Sequence, residues 1–572
     1  MSLSSANRSM QLLVRLLDSK TSTEPMEDFG VQKPEIPLGR SSQPLPRATP
    51  EQEGVPSRQI SAFLQALDQD PTLRMHSLLV LRHGKLLCQA SFGAQDPDLP
   101  RMTFSARKSV TALAVGLLMD DGLLSPTDKL VDLFPDDIGP VSKRLMRDLT
   151  VEHLLTMQTG NQFNEVSAMT EFDWAHGFFL SPSLTDPKGK FQYNSLNTYI
   201  LAVLVTRLTG KTLTEFLTQR LFTPMGIGDF YWEVSPQGVE KGGWGLYLRA
   251  EDLGKLGQLV LDHGCWNGRQ LISRDFLDQA TQVHIHVPDP YGDFHYGWQI
   301  WVGRQENTFL FNGMMGQNML CFRDSGIILV SHAGNSETFQ QSNYFRLASH
   351  YFGGSFPDSL PRDPLAEREL GRTLAQLSDC SAPLPAREAF AKFAGKRFIT
   401  RDPKAAASGL LPLTLQAVEN SYSRGLQAIT IGGTRAMPEI FYEERDHLHH
   451  LKAGTKAPCY QSLNFHGNVF QVAAQARFTH NEEEQPVLRI QVDFLETPCT
   501  RIIKLIWTPQ GLLVRQEETP NVDYLVETNL LAVSNPASKA LLATLLGSAD
   551  PDFLTWKMSQ VFSPTMEFQE ES

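Results

Sequence analysis

Ser105 and Lys108 are the pair from which chemistry can first be read in this chain of 572 residues. They fall in Thr103–Asp121, where Val110, Leu113, Ala114, Leu117 and Leu118 recur at helical spacing, the stripe of a helix with one buried face. Gly122, after Asp120-Asp121, supplies a stop. Ser105 is therefore expected at or just inside the amino-terminal end of a core helix, with Lys108 one turn on along the same face. A serine hydroxyl needs a base beside it to act as a nucleophile. A lysine three residues on can reach it, and burial lowers an amine from its ordinary value of about 10.4 towards neutrality. Free N–H groups at the helix end also point at charge developing on a substrate oxygen. A capping Ser followed by a solvated Lys would show the same spacing, since Ser-x-x-Lys is short. Here the pattern occurs once, on the first turn of a strongly apolar helix.

The elements that must position this pair surround it in the chain. Ser57 reads as the N-cap of a helix whose inward residues are Ile60, Phe63, Leu64 and Leu67. His76–Leu81 and Leu86–Phe92 are apolar runs around Arg82-His83-Gly84-Lys85, a hairpin. Thr150–Gly160 is a short helix, and residues 161–192, with Pro182 and Pro187, read as a long loop walling the site. Tyr193-Asn194-Ser195 precedes a helix through Ile200, Val203 and Leu204 to Gly210, and Thr212–Glu215 is a capping box. Asp252–Asp262 is helical by its apolar period, and Tyr296–Val302, Phe309–Phe311, Gln317–Phe322 and Ile327–His332 are strands, with a turn at Asp324-Ser325-Gly326. Strands at both ends with helices between imply one antiparallel sheet flanked by helices, with a helical insert.

Four stretches in order, Ser105-Ala-Arg-Lys108-Ser-Val-Thr, His153-Leu-Leu-Thr-Met-Gln-Thr-Gly160, Tyr193-Asn-Ser195 and Gly242-Gly-Trp-Gly-Leu-Tyr-Leu-Arg-Ala-Glu-Asp252-Leu, resemble the serine β-lactamase-related family over roughly residues 50–345. The nearer kin are its class C-like esterase and amide-hydrolase branch, including 6-aminohexanoate-dimer hydrolases, with a penicillin-binding-protein-like fold. The resemblance implies an α/β (α+β) domain, Ser105 as acyl-enzyme nucleophile, Lys108 as its partner and Tyr193 as the catalytic tyrosine. A phenol of pKa near 10 becomes a usable base only beside a cation such as Lys108, so either Lys108 or the Lys-Tyr pair takes the serine proton. Ser195 stands where penicillin-recognising members have an Asn; it is expected to bond Lys108 or substrate, or to cap the next helix. Phe311-Asn312-Gly313-Met314-Met315-Gly316-Gln317 matches the strand on which those members carry Lys-Thr-Gly. Asn312 and Gly313 are then substrate-binding, and the Met314 N–H joins that of Ser105 as an oxyanion hole. This strand offers no cation for a substrate carboxylate.

Composition bounds the rest. The length implies about two or three domains, and 41% hydrophobic with 20% charged residues describes a globular protein. A net charge of −12 argues against nucleic acid or an anionic membrane as partner, and no run approaches about 18 apolar residues. The six Cys are scattered and the 15 His lack metal spacing, so no metal, cofactor or disulfide frame is expected, and Met10–Leu17 is too short and too interrupted for a secretory signal; the expected location is cytoplasmic. His447-Leu448-His449-His450 reads as a solvated strand face.

The expected organisation is an extension over 1–55, the hydrolase domain over 56–378, a linker over 379–396 and a β-rich domain over 397–572. In the last, Leu413–Ala417, Leu426–Ile431, Phe441–Glu444, Leu463–Ala474, Leu488–Phe494, Ile502–Trp507 and Leu512–Glu517 suggest an antiparallel meander or small barrel, with a closing helix over Ser538–Leu546. The expected function is a serine hydrolase cleaving a small ester or amide through an acyl-enzyme on Ser105. The alternatives are β-lactamase or D-Ala-D-Ala peptidase-like activity, and a catalytically silent scaffold of the same fold.

Overall fold

The computed structural model describes residues 33, 41–168, 171–304, 307–382, 384, 387–401, 408–419, 421–520 and 563–571. They divide into two units, one within Ile36–Phe92 and Asp96–Ser378, the other within Gly93–Gln95 and Asp379–Ser572 together with Lys33.

The strands of the first unit are β1 (Met75–Arg82), β2 (Lys85–Ser91), β3 (Arg101–Met102), β4 (Phe230–Trp232), β5 (Leu246–Leu248), β6 (Cys265–Trp266), β7 (Arg269–Gln270), β8 (Phe294–Tyr296), β9 (Trp301–Gly303), β10 (Thr308–Gly313), β11 (Gln317–Phe322) and β12 (Ile327–Ala333). Seven make an antiparallel sheet in the order β2-β1-β12-β11-β10-β9-β8, so early and late segments close one sheet. The turn joining β1 to β2 holds His83 at φ 50° and Gly84 at φ 71°, the positive dihedrals that match the twist of a two-residue hairpin. Alternation sorts the sheet's residues: Phe309, Phe311, Met319 and Val330 join the core that contains the Arg107–Asp120 helix, while Leu310, Leu320 and Leu329 join the core formed with the Ser57–Gln69 helix.

The Arg107–Asp120 helix is buried from Arg107 to Leu118 rather than on one face. The Ser195–Thr209 helix covers the side that a surface helix would show to water, and both belong to one core. The Ser57–Gln69 helix begins at Ser57 with Pro56 as its N-cap; Ser57 instead donates its N–H and hydroxyl to Glu51. The expected loop at 161–192 carries two short helices, Glu165–Ala168 and Trp174–Phe179, and the expected strand Tyr296–Val302 is two strands, parted where Gln299 takes φ 58°. The expected extension is packed at its described end. Ser41 and Ser42 bond Asp229, Ser42 Oγ donates to Asp252 at 2.8 Å, and Arg47 pairs with Glu251 at 2.8 Å. Buried carboxylates need such donors.

In the second unit the described strands are β13 (Lys396–Thr400), β14 (Leu426–Gly433), β15 (Pro438–Glu444), β16 (Leu448–Lys452), β17 (Cys459–Phe465), β18 (Asn468–His480), β19 (Pro486–Phe494), β20 (Thr500–Thr508), β21 (Gly511–Thr519) and β22 (Thr565–Glu570). They form one nearly closed antiparallel sheet in the order β16-β15-β14-β13-β22-β21-β20-β19-β18-β17. Across the gap, the Gln461 amide on β17 bonds both the N–H and the carbonyl of Lys452 on β16, at 3.1 and 2.7 Å.

Leu413–Val418 is a helix, not a strand: Pro412 precedes it, and Glu518 accepts from the N–H groups of Leu413 and Thr414 at its start. The segment 379–396, read as linker, holds the Arg387–Ala391 helix and Phe393, which lies in this unit's core. His449 on β16 is buried 3.3 Å from Glu444, unlike the solvated face expected of the His447–His450 cluster. The helix expected over Ser538–Leu546 lies outside the described residues.

Candidate active site

Ser105 lies in a 3-10 turn, Phe104–Ala106, directly ahead of the Arg107–Asp120 helix. Two devices hold that turn. Thr103 donates both its N–H and its hydroxyl to the Leu246 carbonyl at 2.9 Å, and buried Phe104 sits at φ 45°, a conformation a bulky residue keeps only when its surroundings impose it.

Lys108, only 1% exposed, places Nζ 2.7 Å from Ser105 Oγ and 2.9 Å from the Gly243 carbonyl. Nζ also lies 4.8 Å from the centroid of the Tyr193 ring, and the Tyr193 phenol lies beside Ser105. No carboxylate forms an ion pair with Lys108 among the described residues. Burial therefore dominates and pulls its amine down to about 7, with the more distant Glu165 opposing and Arg107 assisting. The same burial pushes the Tyr193 phenol up, more than its bond to Ser105 pulls it down, with Glu165 and Tyr291 adding to the rise.

The Gly242-Gly243 carbonyls are a hub. Gly243 accepts from Lys108, and Gly242 accepts from Arg107 at 3.3 Å and Thr111 at 3.1 Å. A Cβ on Gly242 would run into the Thr198 carbonyl, and one on Gly243 into Ser195, so the two glycines let this strap lie against the Ser195–Thr209 helix. Trp244 then stacks on Trp174 at 5.2 Å.

Asn194, not Ser195, caps that helix, its side chain accepting from the Leu196 N–H at 2.9 Å. The Ser195 N–H instead donates to Glu165 at 2.8 Å. Gly313 closes on the Phe104–Ala106 turn, for a Cβ there would meet the Thr103 carbonyl. Asn312, one residue earlier, lies on the opposite face of β10. Its amide donates to Asn318 at 2.7 Å and accepts from Gln340 at 3.1 Å, so both ends of the side chain are engaged within the protein. In the turn Met314–Gly316, Met315 has φ 65° and its N–H is taken by the Glu337 carbonyl at 2.8 Å.

Three contributors carried little sequence signal. Glu165 is one of four acids in the aperiodic stretch 161–192. The Gly243 carbonyl is backbone. Gln299 donates to the Leu154 and Leu155 carbonyls and accepts from Thr198, while its own carbonyl accepts from Ser109; it ties three helices behind the site.

A serine whose hydroxyl contacts both a depressed amine and a phenol matches the Beta-lactamase family, whose model aligns with residues 61–348. The chain belongs to this family. It is a serine hydrolase. It is 26% identical over 272 residues to the 6-aminohexanoate-dimer hydrolase of Paenarthrobacter ureafaciens, covering 42% of this chain and 68% of that one. To the lovastatin esterase of Penicillium rubens it is 26% identical over 201 residues, covering 28% of this chain and 46% of the esterase, less than half of that relative's length. A penicillin-binding protein homolog from Caulobacter crescentus is similar at 17% identity and a TM-score of 0.44, over 53% of this chain and 98% of that one.

Among the described residues, Glu444, Asp446 and His466 in the second unit lie close enough together to share a cation. Asp446 pairs with Arg424 at 3.0 Å, and Glu444 accepts from the Leu410 N–H and the Ser423 hydroxyl. No helix among the described residues is long and apolar enough to cross a membrane.

Proposed function

We propose that this hydrolase cleaves a small, uncharged ester or amide through an acyl-enzyme on Ser105, with Lys108 as general base. The observation that carries the reading is the 2.7 Å approach of Lys108 Nζ to Ser105 Oγ, with no carboxylate among the described residues paired to that amine. At neutral pH about half of an amine held near 7 is unprotonated and can accept a proton. The phenol, pushed the other way, keeps its proton and is the donor of the pair. Two neighbours whose environments drive them apart take opposite roles.

Ser105 Oγ attacks the carbonyl carbon as its proton passes to Lys108 Nζ. The Ser105 and Met314 N–H groups receive the oxyanion. Tyr193 donates to the departing alcohol or amine, and the ammonium of Lys108 reprotonates the phenolate. Water, deprotonated by the same amine, then releases the acid. The β10 stretch brings no cation to pair with a substrate carboxylate, and Glu165 adds a negative charge near Lys108 and Tyr193, so free acids are disfavoured.

The test is a fluorophosphonate probe followed by peptide mapping. Label is expected on Ser105 in the wild type and absent from Lys108→Ala. Label on another residue, or undiminished label without Lys108, overturns the reading.

A further inference from the structure

Around Tyr193 the first unit assembles more aromatic surface than packing a catalytic tyrosine needs. Trp301 stacks on Tyr193 at 5.9 Å and 25°, and Phe339 meets it edge-on at 5.0 Å. Tyr291 lies 4.5 Å from Phe339 and 5.3 Å from Phe191, both edge-on. Phe191, Tyr291 and Phe339 come from three separate segments, and each is only half-buried. Half-buried rings beside a nucleophile hold apolar surface against water, a cost that an apolar ligand group removes.

The rings are also held in place. The Tyr291 carbonyl accepts from the Gln340 N–H at 3.3 Å, and the Gln340 side chain bonds Asn312 at 3.1 Å. Gly292, at φ 108°, lies where a Cβ would run into Gln340. The polar side chain that β10 turns away from Ser105 thus anchors the segment that carries Phe339, and Gln340 of that segment in turn holds the Tyr291 backbone. Edge-on pairs leave ring faces and edges available to a further ring, a geometry worth more than the buried area alone.

We propose that Phe191, Tyr291 and Phe339 form a subsite for an uncharged aromatic ring carried next to the scissile bond. This rests on Ser105 as the nucleophile. It narrows the substrate to aryl or arylalkyl esters or amides, and Phe339 and Tyr291 become residues that set specificity.

Three esters without a second ring decide it: methyl acetate, methyl phenylacetate and benzyl acetate, each rate divided by its alkaline hydrolysis rate. The full-length wild type should favour at least one ring-bearing ester over methyl acetate by about tenfold or more in kcat/KM, and the favoured one tells whether the ring sits on the acyl or the alcohol side. Phe339→Ala and Tyr291→Ala should each lower that ratio several-fold. A variant that merely disturbed Tyr193 would slow all three esters and leave the ratio alone. Labelling of Ser105 by phenylmethanesulfonyl fluoride against methanesulfonyl fluoride, followed by mass spectrometry, reads the same preference without turnover. Equal normalised rates and equal labelling in the wild type, or ratios unchanged in both variants, overturn the subsite. Turnover that survives Ser105→Ala strikes the nucleophile instead.

Discussion

Two lysines of the first unit sit in the same spacing and do different things. Ser105-x-x-Lys108 and Asp252-x-x-Lys255 each put a polar group three residues before a lysine that is 1% exposed. Lys255 has Asp252 at 2.7 Å and the Gly226 carbonyl at 3.0 Å, and Asp252 in turn accepts from Ser42. That pair is closed. Lys108 has a hydroxyl and a carbonyl but, among the described residues, no paired carboxylate, so burial pulls its amine down to about 7. Removing the counter-charge from a buried lysine makes it a base, whereas supplying one makes it a strut.

The widest separation should appear in activity. Ser105→Ala and Lys108→Ala should each lower kcat for a neutral ester by about 10^4-fold or more, and the double variant little further, because nucleophile and base act as a unit. Losses that multiply in steady-state assays would place Lys108 outside the reaction.

Stability should separate the lysines with opposite signs. Lys255→Met leaves Asp252 buried without its partner and should cost about 3–5 kcal/mol in urea unfolding. Lys108→Met should be as stable as wild type or more so, since the unfolded amine (about 10.4) binds protons that the folded one, near 7, releases. Between those values Lys108 makes stability rise with pH, and the variant should lose that part of the slope. Equal destabilisation by the two substitutions would erase the contrast.

Substrate charge is the next lever. A methyl-capped diacid ester should exceed its free-acid form by roughly a hundredfold in kcat/KM, since the β10 stretch brings no cation to the acid and Glu165 repels it. Equal rates would mean that a cation reaches the site.

The pH profile should show the smallest step. Only the unprotonated Lys108 accepts a proton, so kcat/KM should fall about tenfold per unit below an apparent pKa near 7 and level off above it. A profile flat from pH 5 to 8 would show that the amine is not the base.

Much of the first unit is legible because its signals are local. The His83-Gly84 turn, the Thr212–Glu215 capping box and the period of β10 to β12 each arise from a few adjacent residues. Reading failed where a distant partner decided the outcome. Ser57 has the chemistry of a cap, yet Glu51 takes its hydroxyl. Leu413–Val418 has strand-like residues, yet Glu518, more than a hundred positions away in the chain, receives the N–H groups that start a helix. Asn312 adjoins Gly313 in sequence, yet the two-residue period of β10 turns its side chain to the other face, where Asn318 and Gln340 hold it.

The sequence by itself determined which residues can react: the Ser105–Lys108 spacing follows from helix geometry, and a hydroxyl three residues from an amine is in reach whatever surrounds it. Tertiary structure alone decided the surroundings in which they meet. The Ser195–Thr209 helix and the Gly242-Gly243 strap bury Lys108, no carboxylate among the described residues closes on it, and Tyr193 is brought from 88 positions beyond Ser105 to stand beside both. Desolvation depends on everything packed around a group, and no local pattern encodes it.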